Sequence, residues 1–144
     1  MSVRYLTPAE YLAHYPAGIE ANGDTYIITV PAGEPHRIYT LTGHLHGSLS
    51  VAGEGPGDAL RGGTGSGDVF RDGDGDGSAR RHGRGHGSAF RGGRGRGDAW
   101  RMDGGTGSAV RDGPGQGDRL YDGFWYPQMG LPTLAAVITA EEPG

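Results

Sequence analysis

The chain has 144 residues, of which 34% are hydrophobic and 31 are glycine, and its formal charge is −4. That leaves room for one domain but not for a conventional large core, and so small a charge marks neither a basic nucleic-acid binder nor an acidic tail. Cysteine is absent and all 13 basic residues are arginine, which excludes disulfides, thiolate metal sites, Schiff-base lysines and phosphate-loop lysines.

The first element is a short helix. In "TPAEYLAHY", Thr7 stands as N-cap, Pro8 at the first helical position and Glu10 three residues after the cap, which predicts a helix to about Tyr15. "DTYIITV" and "HRIYTL" then alternate as strands do, around the turn-forming "PAGEP". Residues 1–42 are expected to form a helix and β-hairpin cap. No apolar stretch reaches the ~20 residues that span a bilayer, so no membrane partner is expected.

From Gly53 the chain falls into lines of ten with the consensus G-x-G-x-G-[DS]-A-Φ-R-x, as in "GTGSGDVFRD" and "GRGHGSAFRG". A degenerate copy from Gly43 to Ala52 precedes them, and atypical terminal copies are what capped stacks show. Glycine at every second position reads as a strand with one bare face. Residue i is then expected to lie over residue i+10. A perimeter of ten residues at ~3.3 Å encloses an interior with room for little beyond glycine and alanine. The expected fold is all-β: a β-solenoid of about eight ten-residue coils over Gly43–Asp122, followed by an apolar C-terminal cap over 123–144 that ends in a short strand.

Column by column, this register makes further expectations. Asp74 lies beside Arg84 and Asp76 beside His86, whereas the juxtaposition of Arg84 and Arg94 is unfavourable. Arg61, Arg71, Arg81, Arg91, Arg101 and Arg111 form one column, compensated by Asp58, Asp68, Asp98 and Asp118 together with Asp72, Asp112 and Asp122, since guanidiniums take forked carboxylate bonds. The eighth position places Leu60, Phe70, Phe90, Trp100 and Val110 outward along one flank. These are the candidate partner-binding residues, because an apolar ladder calls for something to cover it.

Other chemistry finds less support. "GDGDGS" is reminiscent of calcium-binding solenoids, but their period is nine, and here the sixth column alternates Asp with Ser. His44 and His46 share one strand face with no third ligand fixed by spacing. No nucleophile elbow or zinc-protease motif occurs, so a non-enzymatic protein without metal or cofactor is expected. The main alternative is nucleic-acid binding through the Arg-rich stretch 80–101, with Arg84, Arg94 and Arg96 as contacts and aromatic residues interleaved.

In "GDAWRM", "GSAFRG" and "GDALRG" the chain resembles glycine-rich decapeptide-repeat proteins (GDAxRxGxGxG) of tailed bacteriophages and their bacterial hosts. The resemblance covers Gly53–Asp122 and implies the solenoid fold and a phage setting, in the cytoplasm of a bacterial host or on the virion. It transfers no functional residue. The expected function is a protein-interaction or assembly module, acting on a host protein or by self-association.

Overall fold

A computed structural model describes residues 3–102, 104–121, 124–126 and 137–139. The elements in order are β1 (Val3–Leu6), α1 (Pro8–His14), β2 (Ile19–Glu20), β3 (Thr25–Thr29), β4 (Ile38–Thr42), β5 (Ser48–Ala52), β6 (Asp58–Arg61) and β7 (Val69–Arg71). They continue with β8 (Ala79–Arg81), β9 (Ala89–Arg91), β10 (Ala99–Arg101), β11 (Ser108–Arg111), β12 (Arg119–Tyr121), β13 (Phe124–Tyr126) and β14 (Val137–Thr139). Strands β1, β3, β5, β7, β9, β11 and β14 form one sheet, here the odd sheet; β13, β12, β10, β8, β6, β4 and β2 form the other, the even sheet.

From β1 to β12 successive strands therefore alternate between sheets, and neighbours within a sheet are parallel. The molecule is a β-solenoid of about six turns. Each turn of the repeat takes twenty residues, not ten: Ala59 pairs with Ala79, Val69 with Ala89 and Ala79 with Ala99. One decapeptide supplies one strand and one bend, which is half a circuit. The strands are only the A-Φ-R segments. The glycine runs are the bends between them, and Gly73 and Gly83 adopt φ of +99° and +103°, the left-handed region that glycine enters without strain. Bends 53–57, 73–77, 93–97 and 113–117 stack along a first edge, and 43–47, 63–67, 83–87 and 104–107 along a second.

What fills the coil explains its size. The side chains of Arg61, Arg71, Arg81, Arg91, Arg101 and Arg111 are at most 1% exposed, alternating with Ala59, Ala79, Ala89, Ala99 and Ala109. Odd repeat positions do face inward, but arginine is among them, and a ten-residue ring has no room for it. The arginines form two columns of three, each intercalated between bends. Arg91 shows the cage most fully: Nε donates to Gly77 O (2.6 Å), Nη2 to Gly75 O (2.8 Å) and Arg96 O (3.4 Å), and Nη1 to Arg71 O (3.3 Å) and Gly92 O. Five N–H groups meet five carbonyls, which is the full donor set of a guanidinium. The carbonyl cage replaces the carboxylate partners expected for this column. Glycine on the inner face makes the cage possible, because a Cβ at Gly95 would fall into the carbonyl of Gly75 and within 2.6 Å of Arg91 Nη2.

Burial, and then the neighbouring guanidiniums Arg61 and Arg101, lower the Arg81 pKa to about 10. Burial, with Arg71 and Arg111, lowers Arg91 likewise to about 10. Both remain charged at neutral pH.

At the N-terminal end the same inward positions carry an ordinary core: Tyr39 stands in register with Ala59, Leu41 with Arg61, Leu49 with Val69 and Val51 with Arg71. Helix α1 begins with the expected capping box, Glu10 N–H to Thr7 Oγ1 (3.1 Å) and Thr7 N–H to Glu10 Oε1 (2.9 Å). Its Tyr11 packs edge-on against Tyr39 (5.1 Å) and accepts a bond from Thr40 N–H (3.0 Å). The expected hairpin of "DTYIITV" and "HRIYTL" does not form. These segments are β3 and β4, and each pairs in parallel within a different sheet because the coil, not the local turn, sets their partners. At the other end β13 and β14 add antiparallel strands to β12 and β11. Of the expected C-terminal cap, residues 123, 127–136 and 140–144 lie outside the described residues, as does Asp122, expected as a counter-charge.

Replacing Arg91 tests the cage. Lysine keeps the charge but brings three donors from a single point, and is expected to cost about 2 kcal/mol. Leucine leaves several buried carbonyls unpaired, and about 3 kcal/mol or more is expected. Exposed Arg94→Leu should stay within about 0.5 kcal/mol. Urea unfolding of the three variants gives the ranking.

Candidate interaction faces

With the interior committed to arginine, glycine and alanine, the even repeat positions carry the surface. The twenty-residue register divides every expected outward column in two. Of the five residues placed on one flank by the sequence, Phe70, Phe90 and Val110 lie on the odd sheet and Leu60 and Trp100 on the even sheet. They form two opposite faces.

On the even face Arg80 stands between Leu60 and Trp100 in the same column. Its guanidinium lies 4.6 Å over the Trp100 ring and its Nη2 is 3.5 Å from Asp58 Oδ2. Asp58 also bonds His36 (3.1 Å). This face answers its aromatic residue with a cation from the same chain. On the odd face the column reads Ser50, Phe70, Phe90, Val110. The two phenyl rings stack at 4.9 Å with 9° between their planes. With Asp72, Gly92 and Asp112 they line a groove of about 420 Å³. The aromatic residues here are half-buried, and among the described residues no arginine lies over them as Arg80 lies over Trp100.

The two edges differ in charge. Along the first, Asp74 is one coil from Arg94, and Asp76 one coil from Arg96, whose backbone N–H donates to Asp76 Oδ1 (3.2 Å). The expected neighbours Asp74–Arg84 and Asp76–His86 are instead separated across the coil, as are Arg84 and Arg94. Arg84 lies on the second edge, so the three candidate nucleic-acid contacts do not form one patch. Of the arginines between 80 and 101, Arg81, Arg91 and Arg101 are buried in the core. Along the second edge histidines alternate with hydroxyls: His44 Nδ1 is 2.6 Å from Thr64 Oγ1, His46 Nδ1 is 2.9 Å from Ser66 Oγ, and His86 bonds Thr106. His44 and His46 each meet a hydroxyl of the next coil.

The sixth column has a structural role that its Asp/Ser alternation concealed. Each of these side chains accepts the backbone N–H of the residue one coil on: Ser78 N–H to Asp58 Oδ1 (2.9 Å), Asp98 N–H to Ser78 Oγ (3.1 Å) and Asp118 N–H to Asp98 Oδ1 (2.8 Å). On the other sheet Ser48, Asp68 and Ser88 accept in the same way from the backbone N–H of Asp68, Ser88 and Ser108. Either residue type supplies a short acceptor, so the column rivets coils together and needs no aligned carboxylates.

Comparison with protein-family models, curated proteins and solved structures returns no match. The surfaces themselves carry the functional reading.

The rivet is open to a direct check. Asp98→Ser keeps an acceptor and should hold stability within about 0.5 kcal/mol. Asp98→Ala removes it and should cost about 1 kcal/mol, with faster amide exchange at Asp118 than in the serine variant.

Proposed function

We propose that the protein is a non-catalytic interaction and assembly module that binds a protein partner through the odd face. The observation that carries this reading is the stacked Phe70–Phe90 pair, half-buried and lining a groove beside Asp72 and Asp112. An aromatic cluster at the centre of a polar surround is the usual anchor of a protein interface. The even face is the weaker candidate, because Arg80 and Asp58 already occupy the surroundings of Trp100. The solenoid is well suited to such binding. Every outward side chain is held in register by the cage beneath it, so the face is preorganised and binding costs little ordering. The resemblance of the repeats to phage decapeptide proteins favours a phage-encoded module and a partner in the bacterial host, or further copies of the module on a virion.

Binding through Arg84, Arg94 and Arg96 is the rival reading. Their division between two edges, with Asp74 and Asp76 stacked beside Arg94 and Arg96, weighs against a continuous track for a phosphate backbone.

The experiment uses wild type, Phe90→Ser and Trp100→Ala in parallel, each first checked for unchanged circular dichroism. Sedimentation reads self-association, affinity capture from a bacterial lysate reads a heterologous partner, and retention on single-stranded DNA at low salt reads the rival. The expected result is one partner, either a second copy or one captured protein, retained by Trp100→Ala and lost with Phe90→Ser. Undiminished partner binding by Phe90→Ser, or strong DNA retention abolished by Arg94→Ala with Arg96→Ala, overturns the proposal.

A further inference from the structure

The odd face has an acidic rim as well as an aromatic floor. Asp72, Gly92 and Asp112 follow Phe70, Phe90 and Val110 by two residues, so they share the outward side of the coil. Asp72 Oδ1 accepts Gly73 N–H and Asp112 Oδ1 accepts Gly113 N–H, both at 2.8 Å, which fixes each carboxylate and leaves its second oxygen without a bond among the described residues. Gly92 forms a notch between them, where even a Cβ would stand 3.3 Å from Asp72 Oδ1. Each phenyl ring turns one face to the other. Along the column their outer faces look toward Ser50 and Val110, side chains too small to cover a ring. Arg71 and Arg91 run beneath the groove, with Nε, Nη1 and Nη2 of each bonded to carbonyls of the coil wall.

The even face displays what such a site accepts. There an aromatic ring, a carboxylate and a guanidinium from neighbouring rungs come together as Trp100, Asp58 and Arg80. The odd face holds the ring and the carboxylate, but its nearest cations, Arg71, Arg91 and Arg111, are buried beneath it and bonded to backbone carbonyls, so among the described residues no guanidinium stands over the rings. We propose that the groove takes arginine side chains from an extended segment of the protein partner, stacked on the outer faces of Phe70 and Phe90 and paired with Asp72 and Asp112. Guanidinium suits both contacts, since it stacks on rings and forks onto carboxylates. The proposal rests on the odd face being the binding surface and names the chemistry that it recognises.

Spacing selects a probe. Asp72 and Asp112 are two rungs apart, roughly 9.6 Å, and residues i and i+3 of a polyproline II segment are about 9.3 Å apart on one side. Acetyl-Arg-Pro-Pro-Arg-amide is therefore titrated into the full chain, with the Phe70 and Phe90 ring resonances followed by NMR. The citrulline counterpart, which keeps the shape and loses the charge, and the glutamate counterpart are titrated alongside.

Saturable shifts at both rings are expected, with affinity at least tenfold weaker for the citrulline peptide and falling with salt. Asp72→Asn with Asp112→Asn should weaken the arginine peptide at least tenfold while keeping the Oδ1 acceptors for Gly73 and Gly113, so the fold is retained. Equal binding of arginine and citrulline peptides, preference for the glutamate peptide, no ring shifts up to roughly 10 mM peptide, or indifference to the double Asn variant overturns the inference. Partner loss on Phe90→Ser together with any of these would leave the odd face as the interface and remove only its arginine specificity. Partner binding unchanged by Phe90→Ser would remove the underlying reading.

Discussion

The cage of backbone carbonyls around each buried guanidinium is the interaction on which the rest of the structure depends. A chain this rich in glycine loses much conformational entropy on folding and has little apolar area to offset it. Arginine at the ninth position supplies five donors in a fixed plane, and the bends supply carbonyls that would otherwise face an empty interior. Because each guanidinium touches bends in successive coils, as Arg91 touches Gly75 and Gly77 below and Arg96 above, it binds coil to coil. The desolvation of a buried charge is offset by charge-assisted bonds to groups that also need partners. Lysine could not serve in this way, which gives the arginine-only composition a structural meaning.

The same cage governs what the surface can do. Inward positions are fully constrained, so variation is confined to the even positions of the repeat, and those positions differ face by face. The even face closes on itself through Arg80, Trp100 and Asp58. The odd face leaves a stacked phenylalanine pair beside two fixed carboxylates. The N-terminal coils, with Tyr26, Ile28, Tyr39 and Leu41 inside, act as a conventional core on which the unconventional one is stacked. Antiparallel strands β13 and β14 then occupy the far edges of both sheets, which blunts strand edges that would otherwise invite pairing.

Much of this was legible in the residues and some was not, for definite reasons. The decapeptide period, the inward parity of Gly93, Gly95 and Ala99, the outward parity of Phe90 and Trp100, and the Thr7–Glu10 capping box all follow from local rules that the structure obeys. Coil length was not legible, because ten and twenty are both even and each preserves parity. Every cross-coil expectation drawn at ten residues consequently failed, including Asp74 beside Arg84 and a single flank for Leu60 and Phe70. The unfavourable approach of Arg84 to Arg94 was the sign that the register was wrong, and it disappears at twenty. The single arginine column also failed, splitting into Arg61–Arg81–Arg101 and Arg71–Arg91–Arg111, and its interior position ran against the expectation that charges lie outside. The ninth position shares the odd parity of the glycines, and taking that parity at face value would have placed Arg91 inside and required a larger coil. The hairpin failed because "PAGEP" turns the chain from one sheet into the other rather than back on itself.

The central claim is that these guanidiniums are caged in the folded protein. Hydrogen exchange of arginine Nε–H groups, read by NMR at neutral pH, tests it most directly. The Nε–H protons of Arg61, Arg71, Arg81, Arg91 and Arg111 each donate to a carbonyl fourteen residues earlier and should exchange only as the solenoid opens, orders of magnitude more slowly than those of Arg84, Arg94 and Arg96. Uniformly fast exchange across all of these arginines, in a chain whose backbone amides are protected, would contradict the account.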